Sequence, residues 1–324
     1  YRTAPPHIRE KYHLTAKRIE ELYNSSFLPA ETVILTTCNR IEFYFYADLT
    51  PGGGLKLLSQ IYTGVEHNPA YFYEYYGEQT VLHLLKLASG IKSMLTGETE
   101  ILGQLADAYL KPYKAGKSIC HLWRLFNKSL SYARYIRDKS QIGKNSISLS
   151  TLVLKEAKKQ FGGLRGLHAL IIGNGNIARK IARILICEGM DVAIAVRKNK
   201  NRPEFEAGRI ETFTDSYDLC RVLRERELII TATSAPHFIL KKEHASVLGH
   251  KVLIDLSFPR NIEPDITEIT PCVLRDLAYF HEIANENLGL KRKAIAEAEV
   301  LCDKFSRQIW DKLTGSLQRI QHVG

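Results

Sequence analysis

Residues 170–178 constrain the fold of this 324-residue chain more than any other segment. They read LIIGNGNIA, so an apolar run leads directly into a G-x-G-x-x-A pattern. Such a pattern closes a strand and opens a helix, and its backbone amides can meet a pyrophosphate at the positive end of that helix. The candidate nucleotide-binding residues are Gly173, Asn174, Gly175, Asn176, Ile177 and Ala178. A tight turn without a ligand is the alternative.

Strands and helices alternate around this motif. Strands are expected over 168–172, 191–196, 228–233 and 251–256, with a helix over 176–188. This alternation indicates a parallel sheet, so a Rossmann-type, doubly wound dinucleotide-binding domain is expected over 146–274. Arg197 and Lys198 follow the second strand. In NAD-selective domains an acidic residue at this place binds the ribose diol. Cations there favour the 2′-phosphate of NADP(H), and a solvated turn is the alternative.

The first 145 residues predict a separate domain of mixed α/β structure. A helix is expected over 15–23, strands over 32–37 and 42–47, and helices over 79–91, 101–110 and 119–136. From residue 275 to the end, apolar residues keep helical spacing, which predicts a third region built on a helix on the order of 60 Å long, with Gly289 and Gly315 as the points where it could bend or end. Its apolar stripe, at 295, 298, 301, 305, 309, 313 and 317, would face either its own domains or a second copy of the chain.

Cys38 stands at the end of an expected strand, within LTTCNR at 35–40. The thiolate is the reactive form of cysteine, and the nearby guanidinium of Arg40 would lower the pKa of the thiol or hold an anionic substrate. An inert core cysteine is the alternative. The chain has six cysteines and no CxxC pair, so the spacing predicts neither a disulfide framework nor a zinc site.

A glycine turn with two carboxylates lies at 93–104, in the sequence SMLTGETEILGQ. Glu98 and Glu100 suit an ammonium ligand, and they equally suit the dipole of the helix that follows. His83 lies ten residues before Ser93 on the preceding helix. A lone histidine in such a place is more often a packing residue than a catalytic one.

The net charge of +10 is concentrated in one segment. Between 111 and 144 there are nine lysines and arginines against one acid, Asp138, with tyrosines and a tryptophan between them. The cations are residues 111, 114, 117, 124, 128, 134, 137, 139 and 144. Such a patch suits an RNA backbone, and a solvated helix face is the alternative. The sequence offers no membrane span and no signal peptide, so a cytoplasmic protein is expected.

Taken in order, these motifs resemble the glutamyl-tRNA reductase family over nearly the whole chain. The resemblance rests on TCNR at 37–40 followed by Glu42, ASG at 88–90, GETEILGQ at 97–104, the glycine loop at 173–178 and DLSFPR at 255–260. It implies NADPH-dependent reduction of glutamyl-tRNA(Glu) to glutamate-1-semialdehyde, the first step of tetrapyrrole biosynthesis by the five-carbon route.

The resemblance also implies roles for individual residues. Cys38 matches the nucleophile that forms a thioester, and His83 matches a histidine important for activity. The matched substrate-binding positions are Thr37, Asn39, Arg40, Ser93, Glu98, Thr99, Glu100 and Gln104. Residues 173–178 match the NADP loop.

Three further expectations come from the family: a C-terminal spinal helix over 275–324 with a truncated dimerisation region, a homodimer, and partnership with glutamate-1-semialdehyde aminotransferase. The alternative function is that of an NADP-dependent dehydrogenase of a free small metabolite, because the middle domain also resembles that of shikimate dehydrogenase.

Overall fold

The computed structural model describes residues 4–49, 52–65, 68–144, 148–197, 209–286 and 291–320. The chain divides into two compact units. The first comprises Tyr1–Ser146 with Glu286–Gly324, and the second comprises Ile147–Asn285. None of the helices in the described ranges combines the length and apolar character that a membrane span requires.

The first unit contains an antiparallel hairpin packed against helices. Its strands are β1 (Glu31–Thr36) and β2 (Ile41–Tyr46), which pair so that Val33 lies opposite Tyr44. Its first six helices are α1 (Pro6–Lys11), α2 (Ala16–Asn24), α3 (Gly53–Ile61), α4 (Glu78–Ala88), α5 (Glu100–Lys114) and α6 (Cys120–Ser140). The apolar centre of β1 is buried because α5 and α6 contact it, which leaves only its two ends accessible.

The second unit is a six-stranded parallel sheet flanked by helices, so the predicted doubly wound sheet is confirmed. The strands are β3 (His168–Ile172), β4 (Asp191–Arg197), β5 (Arg209–Phe213), β6 (Leu228–Thr231), β7 (Val252–Asp255) and β8 (Val273–Asp276). Their order is β5-β4-β3-β6-β7-β8, so the direction of winding reverses between β3 and β6. The helices are α7 (Leu149–Phe161), α8 (Asn176–Cys187), α9 (Ser216–Leu223), α10 (Ala245–Leu248), α11 (Ile266–Ile269) and α12 (Leu277–Glu286).

The expected single helix from residue 275 is wrong at its start. Arg275 lies in β8, because Val273 and Leu274 pair with Val252 and Leu253 and the backbone continues that ladder. The helical pattern then forms two helices, α12 and α13 (Arg292–Ile320). The 29 residues of α13 span about 43 Å, which is shorter than predicted.

The apolar stripe of α13 packs against α4 and α6 inside the first unit. Ala298, Cys302 and Ile309 are completely buried there, and the ring of Phe305 lies 4.6 Å from that of Tyr132. Of the two predicted alternatives, its own domain or a second copy, the stripe therefore faces its own domain up to residue 313. The side chain at 317 lies outside the described residues.

Candidate active site

The turn between β1 and β2 holds Cys38 in a fixed backbone. The amide of Thr37 donates to the carbonyl of Arg40 over 2.9 Å, and the Thr37 hydroxyl accepts from the amides of Asn39 and Arg40, each at 3.2 Å. Arg9 donates to the carbonyl of Cys38 at 3.1 Å, and the Asn39 side-chain amide donates to its sulfur at 3.2 Å. A threonine at the end of a strand thus shapes the loop that carries the cysteine.

The Cys38 thiol is protonated in this environment. Burial and the nearby Glu98 carboxylate raise the pKa of the half-buried thiol to about 11, and the opposing charges of Arg9 and Arg40 are too weak to offset them. Arg40 does lower the pKa of Cys38, as the sequence predicted, but burial and Glu98 raise it by more. The Arg40 guanidinium is also engaged by a carboxylate and a backbone carbonyl.

Glu42 is a buried carboxylate that gathers four donors. The hydroxyls of Tyr44 and Tyr73 both donate to it at 2.6 Å, Nε2 of His83 lies 3.1 Å away, and Nη1 of Arg40 lies 3.3 Å away. Burial alone would raise the pKa of Glu42, but His83, Arg40 and Tyr44 hold it well below its ordinary value. Glu42 is therefore ionised and fixes the surrounding side chains.

His83 connects Glu42 to Lys92. Its Nδ1 lies 2.8 Å from the Lys92 ammonium, which can only donate, so Nδ1 accepts that hydrogen bond. Nε2 therefore carries the ring proton and donates a hydrogen bond to Glu42. The imidazole is buried, with the rings of Tyr73 and Tyr75 centred 5.2 and 4.8 Å away. Both ring nitrogens are thus engaged within the protein.

Lys92 closes this network a second time through its backbone. Its carbonyl accepts from Nη2 of Arg40, while its ammonium holds His83. Arg40 is consequently fixed by Glu42 on one side and by Lys92 on the other. Sequence reasoning did not identify Lys92, because nothing in its local sequence indicates contacts with residues that lie 9 and 52 positions away.

The side chain of Arg137 binds the backbone of the loop at 89–98. Its guanidinium donates to the carbonyls of Ser89 at 3.1 Å, Glu98 at 2.9 Å and Gly97 at 2.7 Å. Gly90 has φ +83°, and a Cβ there would lie 2.7 Å from Nη1 of Arg137, so the loop requires glycine. Arg137 is therefore directed inward, and its predicted place in the surface patch is wrong.

Glu98 lies in this loop and carries a strongly shifted carboxyl group. Burial and the neighbouring Glu100 raise the pKa of Glu98 to about 7, against the opposing effects of a hydrogen bond from Ser93 and the charges of Arg40 and Arg137. Because Glu98 also acts on the pKa of Cys38, the structure brings the thiol, Glu98 and Arg40 into one electrostatic cluster. Ser93 is buried beside it.

The other predicted substrate-binding residues lie at the beginning of α5. Thr99 directly precedes the helix, Glu100 stands in its first turn, and Gln104 follows one turn later. Glu98 and Glu100, which the sequence indicated as possible partners of the helix dipole, therefore stand just before α5 and in its first turn. Thr99 is exposed, whereas Glu100 and Gln104 are half-buried.

In the second unit, the glycine loop lies where the winding of the sheet reverses. Gly173 follows β3 with φ +117°, and a Cβ there would lie 2.3 Å from the carbonyl oxygen of Ala232, after the adjacent β6. Gly175 caps α8, and a Cβ there would meet no protein atom within 4 Å. The arrangement leaves the helix N-terminus open to a pyrophosphate, so the residues fit a dinucleotide.

Asn174 in this loop is held by a side chain from the following helix. Nε of Arg179 donates to the backbone carbonyl and to the side-chain oxygen of Asn174, at 3.4 and 3.0 Å. Asn176 is exposed, Ile177 is half-buried and Ala178 is completely buried. The loop is thus anchored at both ends while its centre remains accessible.

The first of the two predicted cations ends β4. Arg197 is the last residue of that strand, is exposed, and has its Nη2 3.3 Å from Nε2 of His237. Lys198 lies outside the described residues. Arg197 therefore remains available to an anionic group on the surface.

Asp255, in the DLSFPR motif, shapes the loop after β7. It accepts from the Thr231 hydroxyl at 2.7 Å and from the amides of Ser257, Asn261 and Ile262 at 3.0, 2.8 and 2.9 Å. Burial raises the pKa of Asp255, and these hydrogen bonds oppose that effect. This motif therefore organises the backbone after β7, two strands along the sheet from the glycine loop.

Comparison with known proteins gives consistent results along the chain. The model of the glutamyl-tRNAGlu reductase N-terminal domain matches residues 1–140, and that of shikimate / quinate 5-dehydrogenase matches residues 155–283. The glutamyl-tRNA reductase of Akkermansia muciniphila is 31% identical and covers 96% of both chains. That of Carboxydothermus hydrogenoformans is 32% identical and covers 92% of this chain and 70% of the relative.

A solved structure supports the fold. The glutamyl-tRNA reductase from Methanopyrus kandleri superposes with a TM-score of 0.50 at 24% identity. The match covers 98% of this chain and 79% of that one.

Proposed function

Because the chain belongs to the glutamyl-tRNA reductase family, we propose that it reduces the glutamyl group of glutamyl-tRNA(Glu) to glutamate-1-semialdehyde with NADPH. This reaction begins tetrapyrrole synthesis by the five-carbon route. The observation that carries the proposal is the cluster of Cys38, Arg40 and Glu98 around a backbone turn that holds the cysteine rigidly. A dehydrogenase of a free metabolite has no need of such a thiol.

The proposed first step is attack by the Cys38 sulfur on the ester carbonyl of the substrate. A carbon–sulfur bond forms, the bond from the acyl carbon to the ribose oxygen breaks, and free tRNA leaves with a proton on that oxygen. Because the thiol has a pKa of about 11, it must transfer its proton during attack. Glu98, with a pKa of about 7, suits that role as a general base and then as the acid that protonates the ribose oxygen.

Selection of glutamate follows from the charges of the cluster. Arg9 and Arg40 suit the carboxylate of the substrate, and Glu100 suits its α-ammonium group. Glutamine would form weaker, uncharged hydrogen bonds to the guanidinium groups, which costs binding energy in a buried site. Glu42, His83 and Lys92 act by fixing Arg40, through the hydrogen bonds described above.

The dinucleotide in the proposal is NADPH, which supplies the hydride that reduces the acyl group. Residues 173–178 would hold its pyrophosphate at the N-terminus of α8. Arg197 and Lys198 would hold the 2′-phosphate, and this choice of cofactor is favoured by the exposed position of Arg197 at the end of β4.

Two partnerships belong to the same proposal: a homodimer, and an encounter with glutamate-1-semialdehyde aminotransferase, which consumes the unstable aldehyde. The stripe residues Ala298 and Ile309 are buried within the first unit, so a dimer contact would use other surfaces. The proposed place of action is the cytoplasm, where aminoacylated tRNA is available.

The experiment that tests this function is incubation with glutamyl-tRNA and NADPH, with and without ribonuclease treatment of the substrate. We expect NADPH oxidation and the semialdehyde only with intact glutamyl-tRNA. Shikimate, quinate and free glutamate serve as competing substrates. Turnover of a free metabolite at a comparable rate, without RNA, would establish the dehydrogenase alternative instead.

A further inference from the structure

A basic face covers the end of α5, the outer side of α6 and the turn after it. Its exposed cations are Lys111, Lys114, Arg124, Arg134, Lys139 and Lys144, with Lys117 and Lys128 half-buried beside them. Three large aromatic side chains interrupt the face: Tyr113 is 72% exposed, Trp123 51% and Tyr135 46%. The opposite side of α6 is buried in the core through Phe126, Ala133 and Ile136.

No carboxylate in the described part of the chain pairs with a cation of the basic face. Among the residues that the structure describes, none of these eight lies within 4.0 Å of an acidic oxygen. Two surface cations of the second unit are paired by contrast, Lys158 at 2.7 Å from Glu188 and Lys242 at 3.1 Å from Asp265. A surface that concentrates unpaired positive charge attracts a polyanion.

The composition of the face favours RNA as that polyanion. Its remaining positions on α6 include the polar Asn127, Ser131 and Asp138, so on the described part of the face cations and polar groups separate the aromatic rings and form no continuous apolar strip of the kind that enters a lipid bilayer. Exposed indole and phenol rings set among cations suit stacking on unpaired bases while the cations contact phosphates. Lys139 lies 5.8 Å from the ring centre of Tyr135, so one cation already lies against an aromatic surface there.

We propose that the basic face binds the tRNA portion of the substrate. Arg124, Lys128 and Arg134 contact phosphates, and Trp123 stacks on an unpaired base. This inference rests on the proposed function, because it takes glutamyl-tRNA as the ligand. It adds the surface on which the RNA lies, which is separate from the cluster around Cys38.

The test compares two triple variants that remove the same charge from the first unit. One carries Arg124→Gln, Lys128→Gln and Arg134→Gln. The matched control carries Lys17→Gln, Lys56→Gln and Lys293→Gln, at exposed positions outside the basic face. Binding of deacylated tRNA(Glu) is measured by fluorescence anisotropy between 50 and 300 mM KCl. Circular dichroism melting verifies that both variants remain folded.

We expect the basic-face variant to bind tRNA on the order of tenfold to a hundredfold more weakly, with a shallower dependence on salt. Its slope of log affinity against log salt should fall by about 2, because each lost phosphate contact removes roughly 0.7 to 0.9. The control should keep the affinity and slope of the unchanged protein. Equal losses in both variants would overturn the proposal.

Two further measurements separate this inference from the proposed function. In steady state the basic-face variant should raise KM for glutamyl-tRNA with kcat retained, and it should reduce a small glutamyl thioester at the unchanged rate. A protein that binds tRNA through this face but reduces no glutamyl-tRNA contradicts the proposed function alone. Binding to phosphatidylglycerol vesicles with no measurable affinity for tRNA would assign the face to a membrane and overturn the inference.

Discussion

The sulfur of Cys38 receives opposing influences from its neighbours. Burial and Glu98 keep the proton on the thiol, whereas Arg9 and Arg40 favour its loss. The outcome is a cysteine that does not react readily in the absence of substrate. Such protection suits a nucleophile that must await an acyl group instead of combining with other electrophiles.

We expect iodoacetamide to alkylate Cys38 with a pH midpoint near 11, because its pKa is raised to about 11. Glu98→Gln should move the midpoint to lower pH by removing a negative neighbour. Mass spectrometry of the Cys38 peptide measures the rate separately from the other cysteines, and the exposed Cys120 is the internal control. A midpoint at or below 8 in the unchanged protein would contradict the assigned environment.

Glu98 also predicts how stability depends on pH. Its folded-state pKa of about 7 exceeds the ordinary value of 4.5, so the folded state favours the protonated form. This contribution to stability is complete below pH 4.5 and is lost as the pH rises through 7. Glu98→Gln should therefore stabilise the protein above pH 7 by on the order of 1 to 3 kcal/mol, since one pKa unit corresponds to about 1.36 kcal/mol.

Urea unfolding of Glu98→Gln and of the unchanged protein at pH 5 and pH 8 measures this difference. The two proteins should be closer in stability at pH 5 than at pH 8. A difference that does not depend on pH would show that the carboxyl group of Glu98 is not shifted.

Lys92 holds Nδ1 of His83. Lys92→Met removes the donor to Nδ1, so the ¹⁵N shift of Nδ1 should change, while Nε2 keeps its proton because the ionised Glu42 still accepts from it. The ¹⁵N chemical shifts of labelled His83 report this directly, and the variant should lose roughly 0.5 to 1.5 kcal/mol of stability.

The matched control is Lys86→Met, whose ammonium lies 3.7 Å from the exposed Asp303. It should leave the His83 shifts unchanged and cost less than about 1 kcal/mol. An unchanged Nδ1 shift in Lys92→Met would exclude the positioning role of Lys92.

At the scale of helices and strands, periodicity and turn residues predicted most of the architecture. The apolar runs of β3, β4, β6 and β7 and the amphipathic patterns of α4, α5 and α6 are local properties of the sequence. The edge strands β5 and β8 were not predicted from the sequence. Each has a neighbouring strand on one side only and therefore tolerates polar residues, as RIETF and VLRD show. Arg275 was assigned to a helix for that reason.

The candidate site was only partly predictable for a different reason. The motifs around Cys38 and Gly173 are contiguous in sequence and could be recognised there. The network of Glu42, His83 and Lys92 joins β2, α4 and a later loop, so only the tertiary structure brings it together. The inward direction of Arg137 likewise depends on the carbonyls of a loop some forty residues away.

The junction of β3 and α8 gives a sharp prediction. Gly173→Ala should destabilise the protein by roughly 1 to 3 kcal/mol and abolish detectable NADPH binding, because φ is positive and the new Cβ would meet the Ala232 carbonyl. Gly163→Ala is the matched control, since a Cβ there meets no atom within 4 Å. Thermal melting and fluorescence titration with NADPH measure the two effects. Normal NADPH affinity in Gly173→Ala would show that the loop does not form the cofactor site.

For the whole molecule, the two candidate sites lie in different units. Cys38→Ser should abolish reduction of glutamyl-tRNA while NADPH affinity stays within about threefold, because the two sites share no residues and independent sites usually behave additively. Gly173→Ala should still form the acyl adduct on Cys38 when mixed with glutamyl-tRNA. Residual reduction by Cys38→Ser would contradict the thioester route.

The two glycines of the nucleotide loop have different evolutionary prospects. The neighbouring carbonyl of Ala232 requires glycine at 173, whether or not a dinucleotide is bound, whereas at 175 the protein itself places nothing within 4 Å. Every substitution of glycine adds a Cβ. The fold therefore prevents substitution at 173, whereas at 175 only selection for ligand binding prevents it. A descendant that abandoned redox chemistry would keep Gly173 and lose Gly175, which would give genome surveys a marker for that loss.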